Sequence, residues 1–171
     1  MSLDVYLITK EAQTKKASSG IFVRENGQTK EITQEEWNAK YPNIESVKFY
    51  QEEQETKEVY SANITHNLNT MADKAGIYEA LWRPHRLKEG YNIPENNHEA
   101  ECKFEDENKT TAKDIIPLLE KGLTDLKARP EYFKTFNPSN GWGTYEGLVS
   151  FVENYLNACI EYPGADVEVS R

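Results

Sequence analysis

The sequence predicts an α+β fold, a small antiparallel or mixed sheet with helices packed mainly on one face, and three observations carry that prediction. The opening "LDVYLI" alternates apolar Leu3, Val5 and Leu7 with Asp4 and Tyr6, the period of two expected of a half-buried strand. The last third holds two long runs whose apolar residues recur at helical spacing. The closing "ADVEVS" returns to strand chemistry, so strand-forming ends enclose a helical middle.

Taken in order, the first strand is followed by "GIFVRENGQTKEIT", in which Asn26-Gly27 separates two short β-prone runs and reads as a hairpin turn. "TQEEW" then offers Thr33 as an N-cap with Glu36 as its capping-box partner, predicting a short helix that carries Trp37 and ends before Pro42. "SVKFY" and "TKEVYSANI" are two further strands around the charged connection "QEEQE". From Leu68 the period turns helical through Met71, Ala72 and Ala75, pauses at Gly76, and continues through Ile77, Tyr78, Leu81 and Trp82 to Pro84. Between Pro84 and Thr111 no apolar period survives, and the expectation is a long polar loop. Thr111 with Asp114 caps a helix bearing Ile115, Leu118, Leu119, Leu123 and Leu126, which Pro117 should kink or delay. A last helix aligns Leu148, Val152, Tyr155, Leu156 and Cys159 and stops at Pro163.

Composition narrows the function. With 171 residues the chain fits a single domain, 1–171, large enough to bury roughly two thirds of its unfolded surface without a disulfide or metal staple. Mean hydropathy is low at -0.80, yet 10 Tyr, 6 Phe and 3 Trp supply large side chains for a core. A formal charge of -9 disfavours attraction to phosphate backbones or anionic lipid, so neither nucleic acid nor membrane is an expected partner. No run approaches the roughly 18 apolar residues of a membrane helix, and the opening lacks a secretory pattern; reduced thiols at Cys102 and Cys159 in a cytoplasm are the expectation.

"ANITHNLNTM" and "NPSNGWGTYEGLVSFVENYLNAC" resemble a family of small uncharacterised bacterial and phage proteins that pair N-x-T-x-N-x-x-x-M with G-W-G-x-Y-E. Asn63, Thr65, Asn67 and Met71 match the first motif; Gly141, Trp142, Gly143, Tyr145 and Glu146 match the second. The likeness runs from about Tyr60 onward, plus the opening strand. It implies a cytosolic α+β domain, carried by a phage or prophage, and brings no activity with it.

The candidate ligand residues follow from these motifs. Asn63, Thr65, His66, Asn67 and Asn69 crowd a strand-to-helix junction, where side-chain oxygens either cap the first turn or, with spare amide groups, receive an anionic or heteroaromatic ligand. In "LWRPHR", Trp82 and Arg83 read either as core plug and helix-end cation or as stacking face and phosphate clamp. Trp142 and Tyr145 read as core or as pocket wall. His98, Glu99, Glu101, Cys102 and Asp106 lack metal-site spacing and read as a solvated acidic loop; with no phosphate-binding glycine loop either, no cofactor is expected.

Three classes of function remain. The first is a non-enzymatic protein binding a small nucleotide-like ligand, as in sequestering a signalling nucleotide in phage–host conflict. The second is an acidic protein-docking inhibitor of a host defence complex, with a host protein as partner. The third is a hydrolase using His66 or His85 as general base, oriented by Glu79.

Overall fold

The computed structural model describes residues 2–11, 20–25, 27–46 and 55–171, and their contacts divide them into two compact units. The fold is α+β, with two small antiparallel sheets.

The larger unit comprises residues 1–10 and 56–171. Its sheet has β1 (Ser2–Glu11) at the centre, flanked by β4 (Glu55–Thr65) and β5 (Asp166–Ser170). β1 and β5 run antiparallel in a register from Asp4 opposite Ser170 to Ile8 opposite Asp166. Alternation along β1 does what a period of two demands: Leu3, Val5 and Leu7 are fully buried, whereas Asp4, Tyr6 and Ile8 keep partial exposure. The core they enter is mostly helical. Along α5 (Ala112–Ala128), Ile115, Leu119, Leu123 and Leu126 are buried, and along α7 (Tyr145–Glu161) Leu148, Val152, Tyr155, Leu156 and Cys159 are buried in the same cluster. A fully buried Leu or Ile side chain contributes roughly 2 kcal/mol, several times the propensity difference between helix formers, so packing of these two stripes outweighs local preference. This is why α5 runs through the exposed Pro117 without interruption, starting at the Thr111–Asp114 capping box as the sequence predicts.

Gly122 shows how close the helices come: a Cβ there would lie 2.1 Å from Cγ2 of Ile77 and 3.0 Å from the carbonyl oxygen of Ala75. Ile77 leads into α3 (Tyr78–Trp82), which follows α2 (Asn69–Lys74) after the pause at Gly76. A short 3-10 turn, Pro84–Leu87, comes next.

The smaller unit, residues 11–55, is a hairpin of β2 (Ile21–Glu25) and β3 (Gln28–Ile32) followed by α1 (Gln34–Lys40). Gly27 has φ +80° at the turn, as its place in the hairpin requires; Asn26 lies outside the described residues. Both halves of the Thr33–Glu36 capping box are formed. Trp37 and Tyr41 pack on the small cluster of Ile21, Val23 and Ile32. The strand expected over "SVKFY" and the connection after it fall on residues outside the description, apart from Ser46 and the start of β4 at Glu55.

One expectation is overturned. The stretch expected as a loop between Pro84 and Thr111 contains α4 (His98–Glu107), capped by the Asn97 side chain on the amide of Ala100. It has no apolar stripe to reveal it, because a buried carboxylate anchors it to the molecule: Glu101 is 4% exposed. One short helix, α6 (Pro130–Lys134), and the turn before α7 complete the chain between the long helices.

Candidate functional site

The strand-to-helix junction forms where the change of period predicts it: β4 ends at Thr65, a 3-10 turn covers His66–Leu68 and α2 follows. Thr65 Oγ1 accepts from the amide of Asn67, the capping role open to a hydroxyl at that position. Asn63 donates its side-chain amide to Asp4 across the sheet, and Asn69 Oδ1 accepts from Thr70. Asn67 is exposed. The second motif packs directly on this junction. Gly143, at φ +106°, approaches so closely that a Cβ would fall 2.7 Å from Cγ2 of Thr65 and 2.9 Å from Cγ of Leu68. The two polar segments, about 75 residues apart in sequence, therefore meet through Thr65, Leu68 and Gly143.

The aromatic and basic residues expected to complete a nucleotide site are otherwise engaged. Trp82 is 2% exposed, stacks on Tyr78 and donates its indole N–H to His66. Arg83 turns to Glu101, with Nη1 2.9 Å from each carboxylate oxygen. Tyr145 is buried, its hydroxyl donating to the carbonyl of Leu126. Trp142 alone stands out, 71% exposed on the turn before α7. Asn69 borders an open depression shared with Thr70, Asp73, Lys74 and Tyr78.

A more enclosed feature lies elsewhere in the larger unit. The glutamate that anchors α4 gathers four donors: Arg83, Arg86 Nε at 2.8 Å, His85 Nε2 at 3.0 Å and the Tyr91 hydroxyl at 3.3 Å. Burial alone would raise its pKa, but the bonds from His85, Arg86 and Arg83 outweigh that and hold Glu101 at about 2. His85 is 1% exposed, and its other ring nitrogen, Nδ1, lies 3.3 Å from Glu105 Oε1 out of hydrogen-bond alignment and without another partner. Glu105, one helical turn beyond Glu101, also pairs with Arg171; burial pushes its pKa up, and the neighbouring His85 and Arg171 more than reverse this. Glu79, expected to orient a histidine, instead faces Arg86 at 3.6 Å.

Beside His85 opens a cleft of about 280 Å³. Pro84 and His85 form one wall, the end of α4 and the chain after it contribute Glu105, Asp106, Lys109 and Thr110, and β5 contributes Val167, Glu168, Val169 and Arg171. Thr110 is 3% exposed; its main-chain carbonyl accepts from Val167, but its hydroxyl has no partner. Two walls of one cleft thus each hold a buried residue with an unsatisfied polar atom. Leaving such an atom unpaired costs about 1–3 kcal/mol; His66 Nε2, Glu79 Oε2 and the Tyr155 hydroxyl are also buried without a partner, but only His85 and Thr110 share the lining of this cleft.

Of these residues the sequence singles out Arg83 as a ligand residue, His85 as a base and Glu79 as its orienter, and it weighs Glu101 and Asp106 only to set them aside as part of a solvated acidic loop. Glu101 and Glu105 sit at i and i+4 behind a good N-cap, Asn97, which is the one signal that marks the helix and its acidic face. Nothing in the spacing marks Thr110 or Arg171. Cys159 is buried with its thiol pushed up to about 12 by desolvation, and among the described residues no group of three or more His, Cys, Asp or Glu side chains is placed to hold a metal ion. Among the described residues no helix is long and apolar enough to cross a membrane. No family model, curated protein or solved structure matches the chain.

Proposed function

We propose that this protein acts by holding a small polar molecule in the cleft beside His85. The observation that carries the reading is the pair of buried, unpartnered atoms, His85 Nδ1 and Thr110 Oγ1, on residues that line the same cleft. A ligand supplying a partner to each recovers hydrogen bonds that the protein alone leaves unmade. Ligand pockets usually span about 300–1,000 Å³, so 280 Å³ suits a small metabolite. The lining has no aromatic face, and Trp82 and Arg83 are committed to His66 and Glu101, so the nucleotide form of the reading loses its stacking and phosphate-binding groups. The proposal is one of binding: His85 is held between the carboxylates of Glu101 and Glu105, which fixes the ring as part of the cleft wall.

Thermal-shift screening of small polar metabolites tests this. A ligand at about 100 times its Kd stabilises by about 2.7 kcal/mol, a readily visible rise in Tm. The rise should shrink in Thr110→Val, which keeps the side-chain shape and deletes the hydroxyl. An undiminished rise in that variant counts against the cleft.

A second reading has its own observation, the 71% exposed Trp142 beside the exposed Asn67 junction. An indole presented by a protein of charge -9 suits docking on a basic partner surface. The host-defence setting of that reading comes from the phage resemblance. Trp142→Ala separates the two: it should abolish docking and leave binding in the cleft unchanged.

A further inference from the structure

We infer that Arg83, His85 and Arg86 form a binding site for a phosphoryl group, which Glu101 plugs while α4 is docked. Such a site is separate from the cleft, because it exists only when α4, which walls the cleft, has lifted.

The way α4 is held shows that it can lift. No apolar residue from Lys88 to Lys109 belongs to the apolar core of the larger unit or packs on it, although Leu87 and Ala112 at either end do. Phe104 of α4 meets Tyr91, which belongs to the same segment, and the one residue that α4 buries is Glu101. The segment is tied at its ends, by Lys88 to Asp114 at 3.0 Å and by the Thr110 carbonyl, which accepts from the Val167 amide at 2.8 Å. Between these ties α4 is docked by its carboxylates, Glu101 on Arg83 and Arg86 and Glu105 on Arg171. The attraction within a buried ion pair is largely offset by lost hydration, so an element docked by charge without apolar burial belongs to the part of a protein that opens most easily.

Lifting α4 leaves a concentration of cations behind. Among the described residues, Arg83, Arg86 and Arg171 pair with four carboxylates; Glu95, Glu101 and Glu105 lie on the segment that lifts, and Glu79 stays. Around the place held by the Glu101 carboxylate, Arg83 Nη1 stands at 2.9 Å, Arg86 Nε at 2.8 Å and His85 Nε2 at 3.0 Å. Arg86 and His85 sit on the 3-10 turn Pro84–Leu87, which keeps its own hold on the core through Leu87. The affinity of this basket for an anion shows in Glu101 itself, whose pKa is held at about 2 against its burial. A phosphoryl group suits the basket better than a free carboxylate does. Glu101 is tethered, with an effective concentration on the order of millimolar, and a free carboxylate offers the same two oxygens and single charge without the tether. Phosphate brings a charge of about -1.5 to -2 and three acceptor oxygens, and guanidinium groups bind it in bidentate fashion. Two anions exclude each other from the same donors, so phosphate binds the open form and its affinity holds α4 open.

The test is hydrogen exchange read by mass spectrometry on the full chain, with inorganic phosphate as the probe and acetate and sodium chloride at matched ionic strength as controls. Phosphate at about ten times its Kd for the open form raises the open population about tenfold. Exchange across residues 98–107 should quicken by that factor and saturate, while residues 112–126 of α5 stay as they are; acetate and chloride should change neither. Asn97→Ala deletes the cap on the amide of Ala100 and touches none of the donors, so it should loosen α4 and tighten the apparent phosphate affinity by about fivefold. Arg86→Gln should loosen α4 as well, yet abolish the response to phosphate. If that variant fails to fold, the wild-type and Asn97→Ala measurements decide between them. Exchange in α4 that phosphate leaves unchanged, or that chloride quickens equally, overturns the inference and leaves Glu101 a structural anchor. Exchange in α4 that phosphate slows also overturns it, and favours the cleft, to whose wall Glu105 and Asp106 of α4 belong.

Discussion

The indole Nε1 of Trp82 donates a 3.1 Å hydrogen bond to Nδ1 of His66, joining the end of α3 to the turn that follows β4. Indole nitrogen is only a donor, so Nδ1 of His66 is the acceptor and the uncharged ring carries its proton on Nε2. Nitrogen-15 NMR of the uncharged imidazole should therefore report the Nε2–H tautomer for His66. Trp82→Phe keeps most of the apolar bulk and deletes the donor. It should cost about 1–3 kcal/mol in chemical denaturation, and the tautomer preference should weaken.

Gly143→Ala should destabilise by about 2 kcal/mol or more. The substitution sets an L side chain at φ +106° and drives a methyl into Thr65 and Leu68. Because Trp142 precedes it, its fluorescence should report the displaced turn. Gly122→Ala tests the closest helix approach in the same way: 2.1 Å from Ile77 Cγ2 cannot be absorbed without shifting α5, and a loss of about 1–3 kcal/mol is expected despite the better helix propensity of alanine.

Acid should attack the cluster around Glu101 over a defined window. Its folded-state pKa of about 2 lies below the ordinary 4.5, so the stability it contributes is complete above about pH 4.5 and is lost as pH falls toward 2. The displacement corresponds to roughly 3 kcal/mol at neutral pH. Glu101→Gln should lower neutral-pH stability by about 3–5 kcal/mol, because Arg83, His85 and Arg86 are left without their shared carboxylate, and should flatten the loss of stability between pH 4.5 and 2. Urea denaturation at a series of pH values reads both effects.

How far the sequence discloses this molecule depends on what holds each part together. β1, α5 and α7 are legible because they are held by apolar faces, and Leu3, Val5 and Leu7 or Ile115, Leu119 and Leu126 declare those faces by their spacing. The junction at Thr65 is legible through its change of period and its capping hydroxyl. α4 is not legible, because its anchor is Glu101, a residue that solitary propensity places in water. Arg83 goes astray for the same reason: a guanidinium seen in sequence has no visible partner, whereas in the fold the nearest buried carboxylate claims it. The cleft draws on residues from 84 to 171, with Thr110 held to β5 by the Val167 amide and both Arg171 and His85 meeting at Glu105, and no local pattern encodes that meeting.

The measurement that bears most directly on the central claim is an amide NMR titration of the wild-type chain with the strongest stabiliser from the metabolite screen. The account predicts saturable shifts concentrated at residues 84–85, 105–110 and 167–169, lost or weakened about tenfold in Thr110→Val and unchanged in Trp142→Ala. Shifts centred instead on residues 65–69 and 141–145, surviving Thr110→Val and disappearing with Trp142→Ala, would contradict it and move the functional surface to the exposed indole.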